Sequence, residues 1–528
     1  MITDSASLQH KIELAVSGVG QAPPKTSQTC ELSKRTEILR DHRAVWRNLV
    51  WHEFCTVPAA PLRDLDPDSL FRYTNTMSFH RYPDSPSQVL LRENVLAQKG
   101  WEDSNIYLTR IPSRRLATTE WEMWTVSEDL GCGRFTMDPS QDLLVRMESL
   151  ASISFTESGI TEAAVHLRSL TTGAAHPLAD NSTFYVSFNP PPQREMRCEG
   201  QIVGDHLGVF YSDDKTDGFK KTVIIWDWKT GDKILEIVST SFFSFSFIDE
   251  IHVLIASHYH YMEENVWEDG NVCASVWVYD LTNHTSSRTH LTDGTYRCAF
   301  FLPLSYWVDT IYVRCNPSSL HQSVLSYSCI EDLPDSIVTI CEFCQVEEDS
   351  QLEETDDDEI DAEAVVQVFV PASRLRARIS LATPGQRFAW GEWGPTDAFI
   401  QLNARPTDME ARIDSVYGMR AVDHDTDFTE LCVYDFELLR ISNYYATDAE
   451  ASESSEGNEI GECPGPQLRL WGHRVEEMFA SDEEGEHDWS NELLNLSSSV
   501  ELPQELWGLD WQSYNSLITD DAVVILNV

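Results

Sequence analysis

Few stretches of this chain combine residue types and spacings that could do chemistry. His52-Glu53 opens like a zinc-peptidase helix, in which a second histidine four positions on completes the metal site. Thr56 stands there instead. Cys341 and Cys344 form a lone CxxC. A structural zinc site takes four ligands, and no second pair has matching spacing, so these read as buried thiols. His258 and His260 alternate along an expected strand and would share one face, yet no carboxylate or third histidine stands at a matching place. Gly131-Cys132-Gly133 lacks the third glycine of a dinucleotide loop and precedes strand-like Phe135-Thr136-Met137 rather than a helix. There is no GxSxG nucleophile elbow and no P-loop lysine. The many carboxylates could hold a catalytic pair, but spacing singles none out. No catalytic, cofactor-binding or metal residue is therefore assigned, and the chain is expected to be no enzyme and to need no cofactor.

The elements that would position such residues are strands. Segments such as IYLTRI (106–111), WEMWTV (121–126), DLLVRM (142–147), TFYVSF (183–188) and TVIIWDW (222–228) are rich in β-branched and aromatic residues. Gly, Pro, Asp and Asn turns separate them. Three stretches share one shape: AAVHLRSLTTGAAHPL, TVIIWDWKTGDKILEI and ASVWVYDLTNHTSSRTHL. Each is a strand, a Thr-Gly or Thr-Asn turn, and a second strand. Gly173, Gly231 and Asn283 fall at the turns, where a residue tolerant of positive φ is needed. Their spacing is near one propeller blade with loop insertions, and Trp226-Asp227 supplies a WD dipeptide. Asp205 and Asp249 sit at the turns of further hairpins. Trp226, Trp228, Trp277 and Tyr279 alternate with smaller residues, as side chains filling the space between sheets do.

These signals predict a mainly β fold, a WD-like β-propeller of six or seven blades over residues 95–528. The terminal AVVIL strand would close the ring on the earliest strands. A helical lead-in is expected over residues 1–55, where Leu32, Ile38, Leu39, Val45, Trp46 and Leu49 form one stripe. An irregular connection is expected over 56–94. AVVQVFVPASRL reads as a strand, and FAWGEWGPT as a loop with Trp390 and Trp393 available for packing or binding. Two acidic insertions interrupt the strands. Glu347–Glu363 holds eleven acidic residues in seventeen with no Lys or Arg, and Asp448–Glu492 holds fourteen acidic and two basic residues. Such like-charged runs read as flexible loops. Ser454, Ser455 and Ser481 precede acidic residues there, a context acidophilic kinases accept.

Charge narrows the partners. The 528 residues include 38 basic and 86 acidic side chains, a formal −48. Such a chain repels phosphate backbones and anionic lipid heads, so neither nucleic acid nor membrane is the expected partner. A basic protein partner is compatible with this charge, and so is an acidic excess that only keeps the chain soluble. No run of 18 apolar residues occurs, and Lys11 and Glu13 break any N-terminal signal-like stretch. Twelve cysteines without disulfide-like spacing suit a reducing compartment, so an intracellular setting, cytoplasmic or nuclear, is expected.

One further likeness is carried by ordered segments: HKIELAVSGVGQAPP, ILRDHRAVWRNLVW, MDPSQDLLVRME, VHLRSLTTGAAHPLA, VIIWDWKTGD, SFSFIDEIHVLIAS, WGEWGPT, VYGMRAV and LCVYDFELLR. In this set the chain resembles the agaricomycete fungal F-box proteins with a propeller-like C-terminal region. The resemblance implies an N-terminal F-box that docks a Skp-type adaptor of a cullin ubiquitin ligase, and a C-terminal region that captures the target. Ten residues precede Lys11, and they lack the Leu-Pro-rich opening of an F-box. Only the recognition half therefore carries over, as a protein-binding module, and the resemblance brings no catalytic residue. A propeller hydrolase or lyase with a central-channel site, or a truncated fragment without a role, stand as alternatives.

Overall fold

The computed structural model describes residues 89–99, 105–112, 121–127, 132–148, 161–188, 197–212, 221–260, 272–282, 288–291, 296–302, 308–315, 336–345 and 363–403, with short strands beyond them. The lead-in over 1–55, the acidic insertions and the three serines fall almost wholly outside these residues.

A short strand β1 (Val19–Gln21) is one of the outlying pieces. The first blade is an antiparallel meander of β2 (Val89–Arg92), β3 (Val95–Lys99), β4 (Ile106–Arg110) and β5 (Glu122–Val126). It opens at Val89, a few residues inside the stretch expected to be an irregular connection. Blade 2 is β6 (Cys132–Asp138), β7 (Leu143–Glu148), β8 (Thr161–Ser169) and β9 (Thr183–Phe188). Blade 3 is β10 (Arg197–Val203), β11 (His206–Ser212), β12 (Lys221–Asp227) and β13 (Lys233–Ser239). Blade 4 begins with β14 (Phe242–Phe247), β15 (His252–His260) and β16 (Val272–Asp280). The chain then crosses to blade 3, where β17 (Arg288–His290) adds in parallel to β13, and returns to complete blade 4 with β18 (Cys298–Phe301).

Blade 5 starts with β19 (Val308–Cys315). After β20 (Ile330–Asp332), which pairs with β1, it continues with β21 (Ile337–Gln345) and β22 (Glu363–Pro371). A helix α1 (Ala372–Leu381) follows, then β23 (Gln386–Phe388), which adds in parallel to β18 of blade 4. Helix α2 (Trp390–Asp397) leads to β24 (Phe399–Asn403), the last strand of blade 5.

A sixth antiparallel meander follows: β25 (Val416–Tyr417), β26 (Arg420–His424), β27 (Glu430–Asp435) and β28 (Ser497–Glu501). The final hairpin is β29 (Tyr514–Ile518) and β30 (Val523–Asn527). Among the described residues the AVVIL strand pairs with β29, next to it in sequence, rather than with the earliest strands.

The arrangement is a propeller. The first strands β2, β6, β10, β14 and β19 approach one another in sequence order, so they line the axis and the later strands radiate outward. Among the described residues five blades pack face to face, rather than the six or seven expected. Leu90, Val95 and Leu108 of blade 1 meet Phe135, Met137 and Leu144 of blade 2. Val145, Val165 and Val186 meet Val209, Ile224 and Trp226. Val223, Ile225 and Ile237 meet Phe245, Ile255, Trp277 and Tyr279. Leu254, Val276 and Phe300 meet Ile311, Val313, Ile340 and Val368. Each central strand is buried on both faces, which is why it reads as a continuous apolar run rather than a clean alternation. The four tryptophan and tyrosine positions singled out above are all buried between or against these sheets.

Two local expectations are corrected. AVVQVFVPASRL is a strand only to Pro371; from Ala372 the chain is helical, with Leu375 and Ile379 one turn apart on the buried side. The stretch around Trp390 and Trp393 is helix α2 rather than a loop. Trp393 is fully buried, its indole N–H donates to Phe301 O at 2.9 Å, and Trp390 packs edge-on against it at 5.0 Å.

Candidate functional site

In an antiparallel meander the first and third turns of every blade emerge at the same end. The described turns of blades 2–4 thus form one rim, and aspartates build it. Asp138 Oδ1 accepts from Ser140 N (3.0 Å) and Ser140 Oγ (2.6 Å). Gln141 Nε2 donates both to Asp138 Oδ2 and to Gly204 O of blade 3, each at 2.8 Å. Asp142 takes the left-handed conformation (φ 56°) and joins the two turns of blade 2. Its Oδ1 accepts from Thr171 N and Oγ1, and its Oδ2 from Ser169 Oγ.

The Thr-Gly turn of blade 3 is held the same way. Asp227 Oδ1, the aspartate of the WD pair, accepts from Lys229 N and Thr230 N. Gly231 closes the turn at φ 82°. The Trp228 indole N–H reaches Gly204 O at 3.0 Å, tying third turn to first, and His176 of blade 2 packs edge-on against its ring. On blade 4, Asp249 Oδ1 accepts from Ile251 N (2.9 Å) and His252 N (2.7 Å), with His252 Nδ1 at 3.0 Å. Burial alone would push the Asp249 carboxyl up. The His252 hydrogen bond and charge, with the two backbone N–H groups, outweigh it and hold the carboxyl below its ordinary value. Thr171, Asp205, Thr230, Asp232, Glu250 and Thr282 are exposed along the rim, with Leu178 and Ile251 standing exposed beside them.

A second set of polar groups joins the innermost strands of blades 3, 4 and 5. Ser244 Oγ accepts from Val313 N (2.8 Å), and Ser246 Oγ accepts from Cys315 N (2.9 Å). Gln201 Oε1 accepts from Phe247 N and from Ser246 Oγ, both at 3.2 Å, while its Nε2 donates to Phe245 O. Side chains thus replace the missing ladder between the first strands of blades 3, 4 and 5, and satisfy backbone groups that would otherwise be buried and unpaired. Arg314 of blade 5 reaches Glu199 of blade 3 at 2.8 Å, past the intervening blade.

A third group lies on the face of blade 2 turned toward blade 1. His166 Nε2 is 3.0 Å from Glu148 Oε1, and its Nδ1 is 3.1 Å from Thr183 Oγ1. In an array of carboxylate, imidazole and hydroxyl the imidazole can take the hydroxyl proton while the carboxylate orients the ring. The register explains the contact without catalysis, because His166 and Thr183 are direct cross-strand partners. Arg146 stands opposite His166 on the other side; burial, with Arg168 adding to it, brings its guanidinium down to about 10, against the opposing pull of Glu148.

The sequence-level candidates do not converge. His258 and His260 lie on β15 opposite Ala274 and Val272. Cys341 is buried on β21, and Cys344 lies three positions along the same strand. Cys132-Gly133 opens β6 at a register shift, not a phosphate loop. His52 and Glu53 lie outside the described residues. Among the described residues no three His, Cys, Asp or Glu side chains gather as a metal site, and no helix is long and apolar enough to cross a membrane.

Comparison with known proteins adds little. No family model and no curated protein matches the chain. Among solved structures it is similar to a chain in the S. cerevisiae assembly of a Dbp5 variant bound to Nup159, a Gle1 variant, IP6 and ADP. Identity is 10% over 54% of this chain and 72% of that one, with a TM-score of 0.23. It is also similar to the tricorn protease, at 10% identity over 65% of this chain and 36% of that one, with a TM-score of 0.14. Likeness of that degree carries no weight beside the strand order.

The axial residues were missed by sequence reasoning. The one available signal was the Ser-Phe-Ser-Phe alternation of β14, which reads as a half-exposed strand but has both faces buried.

Proposed function

We propose that the chain is a non-enzymatic protein-binding module of the kind that resembles the substrate-recognition part of an F-box ubiquitin-ligase receptor. One observation carries the reading. The polar groups gathered at the axis and in the rim turns are spent on the protein's own backbone, as the bonds of Gln201, Ser246 and Asp227 exemplify. Groups arranged so hold a scaffold rigid; they are not poised toward a reacting atom. What such a scaffold offers is shape and charge on stiff turns, the usual currency of recognition. The acidic rim and the formal −48 favour a basic protein surface over nucleic acid or an anionic membrane.

The test uses the full chain as bait, with and without charge reversal at the rim (Asp232→Lys with Glu250→Lys). The reading expects a protein partner that the reversed rim loses and that added salt weakens. A partner set indifferent to rim charge would overturn it, as would turnover of ester or peptide substrates by the purified chain. Adding a purified Skp-type adaptor separates ligase membership from binding alone.

A further inference from the structure

Blades 3 and 4 are wider than the others, and the reason is regular. The connection between the third and fourth strands of blade 4 crosses back to lay β17 on the outer edge of blade 3. The same connection in blade 5 lays β23 on the outer edge of blade 4. Both additions are parallel, and each pairs three residues: Glu236 with Arg288 through Val238 with His290, and Cys298 with Gln386 through Phe300 with Phe388. The rule predicts which edge stays open. In blade 3 the corresponding connection is only the tight turn Trp228–Asp232, which closes on itself through Gly231 N to Asp227 O and Asp227 N to Asp232 O. It sends no strand to blade 2. Among the described residues, β9 therefore pairs with β8 alone, as β5 of blade 1 does with β4.

That edge lacks the usual defences. The sequence Thr-Phe-Tyr-Val-Ser-Phe holds no lysine and no proline, and its register with β8 runs without a shift from Thr161–Phe188 to His166–Thr183. Phe184, Val186 and Phe188 anchor it in the core, so the edge is firm. Between them Tyr185 projects with 68% of its surface exposed. We infer that β9 binds an extended, basic peptide segment of a partner protein, which adds to blade 2 as a parallel fifth strand.

The occupant's chemistry follows from the two strands that already hold this place. Arg-Thr-His and Gln-Arg-Phe each contain an arginine and no acidic residue. Beside β9 the exposed Glu162 lies directly across from Ser187, and its Oε1 accepts from the Ser187 hydroxyl. A cationic side chain on the incoming strand has a carboxylate to meet there. Backbone hydrogen bonds would supply the affinity and the neighbouring side chains the selectivity. The inference deepens the binding reading and rests on it, but it places the contact on a blade edge rather than on the rim.

The experiment adds a synthetic peptide of the chain's own fifth-strand sequence, residues 286–292, to the full chain and follows amide hydrogen exchange. Exchange over residues 183–188 is expected to slow by about tenfold or more, with β13 unchanged. A copy of the peptide N-methylated at alternate backbone nitrogens is expected to protect nothing, and Tyr185→Asp, at an exposed position, to weaken the effect. Unchanged exchange at β9 overturns the inference. Equal protection by the N-methylated copy also does so, since the backbone edge would then not be the site, as does slowing at β13, which would mean exchange into the peptide's own place. Rim charge reversal leaves β9 intact, so failure here and failure of the rim reading are told apart.

Discussion

Replacing Gln201 by leucine tests the axial seam directly. The side chain is buried and serves three groups at once: it accepts from Phe247 N and Ser246 Oγ and donates to Phe245 O. Leucine fills similar space but leaves the Phe247 N–H without that acceptor in a residue fully hidden from water. An orphaned buried donor costs about 1–3 kcal/mol, and loss of the Phe245 and Ser246 bonds adds to it, while the added apolar surface offsets a part; the expected loss is about 2–4 kcal/mol. Ser246→Ala removes the acceptor for Cys315 N and should cost about 1–3 kcal/mol. Because the two side chains share a bond, the double variant should fall short of the sum by about 1 kcal/mol. Urea unfolding followed by tryptophan fluorescence gives the stabilities, and amide exchange at Phe247 and Cys315 localises them. If Gln201→Leu unfolds within about 0.5 kcal/mol of the parent and the Phe247 amide exchanges at its old rate, the seam does not hold the blades together and the reasoning fails.

Other outcomes follow from the same structure. A Cβ on Gly208 would meet Phe245 Cε2 at 2.5 Å inside the core between blades 3 and 4, so Gly208→Ala should cost about 1–3 kcal/mol in thermal or urea unfolding. Gly231→Ala forces an alanine to φ 82° beside Asn181 and should cost about 1–2 kcal/mol, whereas Gly391→Ala, with open space around it, should cost under about 0.5 kcal/mol in the same assay. The Asp249 carboxyl is held below 3.8 when folded, so its contribution is fully present above that value and is lost as pH falls through the depressed one. The stability gap between the parent chain and Asp249→Ala should therefore shrink in acid, as unfolding measured at stepped pH would report. Burial pushes the thiols of Cys198 and Cys298 up to about 11 and about 12. Iodoacetamide at neutral pH should spare both in the native chain and label both after denaturation, read by peptide mass mapping.

Much of the fold was legible because turn chemistry and strand composition agree. The Thr-Gly turns at Gly173 and Gly231 do take positive φ, and the WD aspartate does cap its own turn. The buried tryptophans fill the space between sheets as their alternation suggested. What stayed hidden depends on contacts remote in sequence. Nothing in Arg288-Thr289-His290 says that it pairs with blade 3 rather than its own blade. Helix α2 escaped notice because Gly391, Gly394 and Pro395 are poor helix formers; the packing of Trp393 under Phe300 and its bond to Phe301 O override that preference. The serines of β14 and Gln201 carried no signal of their role, since only the neighbouring blades reveal the backbone groups they satisfy.

The crossed connections also govern how the chain can come apart. A simple propeller could lose blades one at a time, each taking only its own strands. Here, melting blade 4 would draw β17 away from β13, and melting blade 5 would draw β23 away from β18. The middle of the ring is laid like overlapping roof tiles, each pinned by the one after it. A fragment cut between β13 and β14 would end with a bare, aggregation-prone margin on its last sheet, so dissection into shorter working pieces should fail from blade 3 onward.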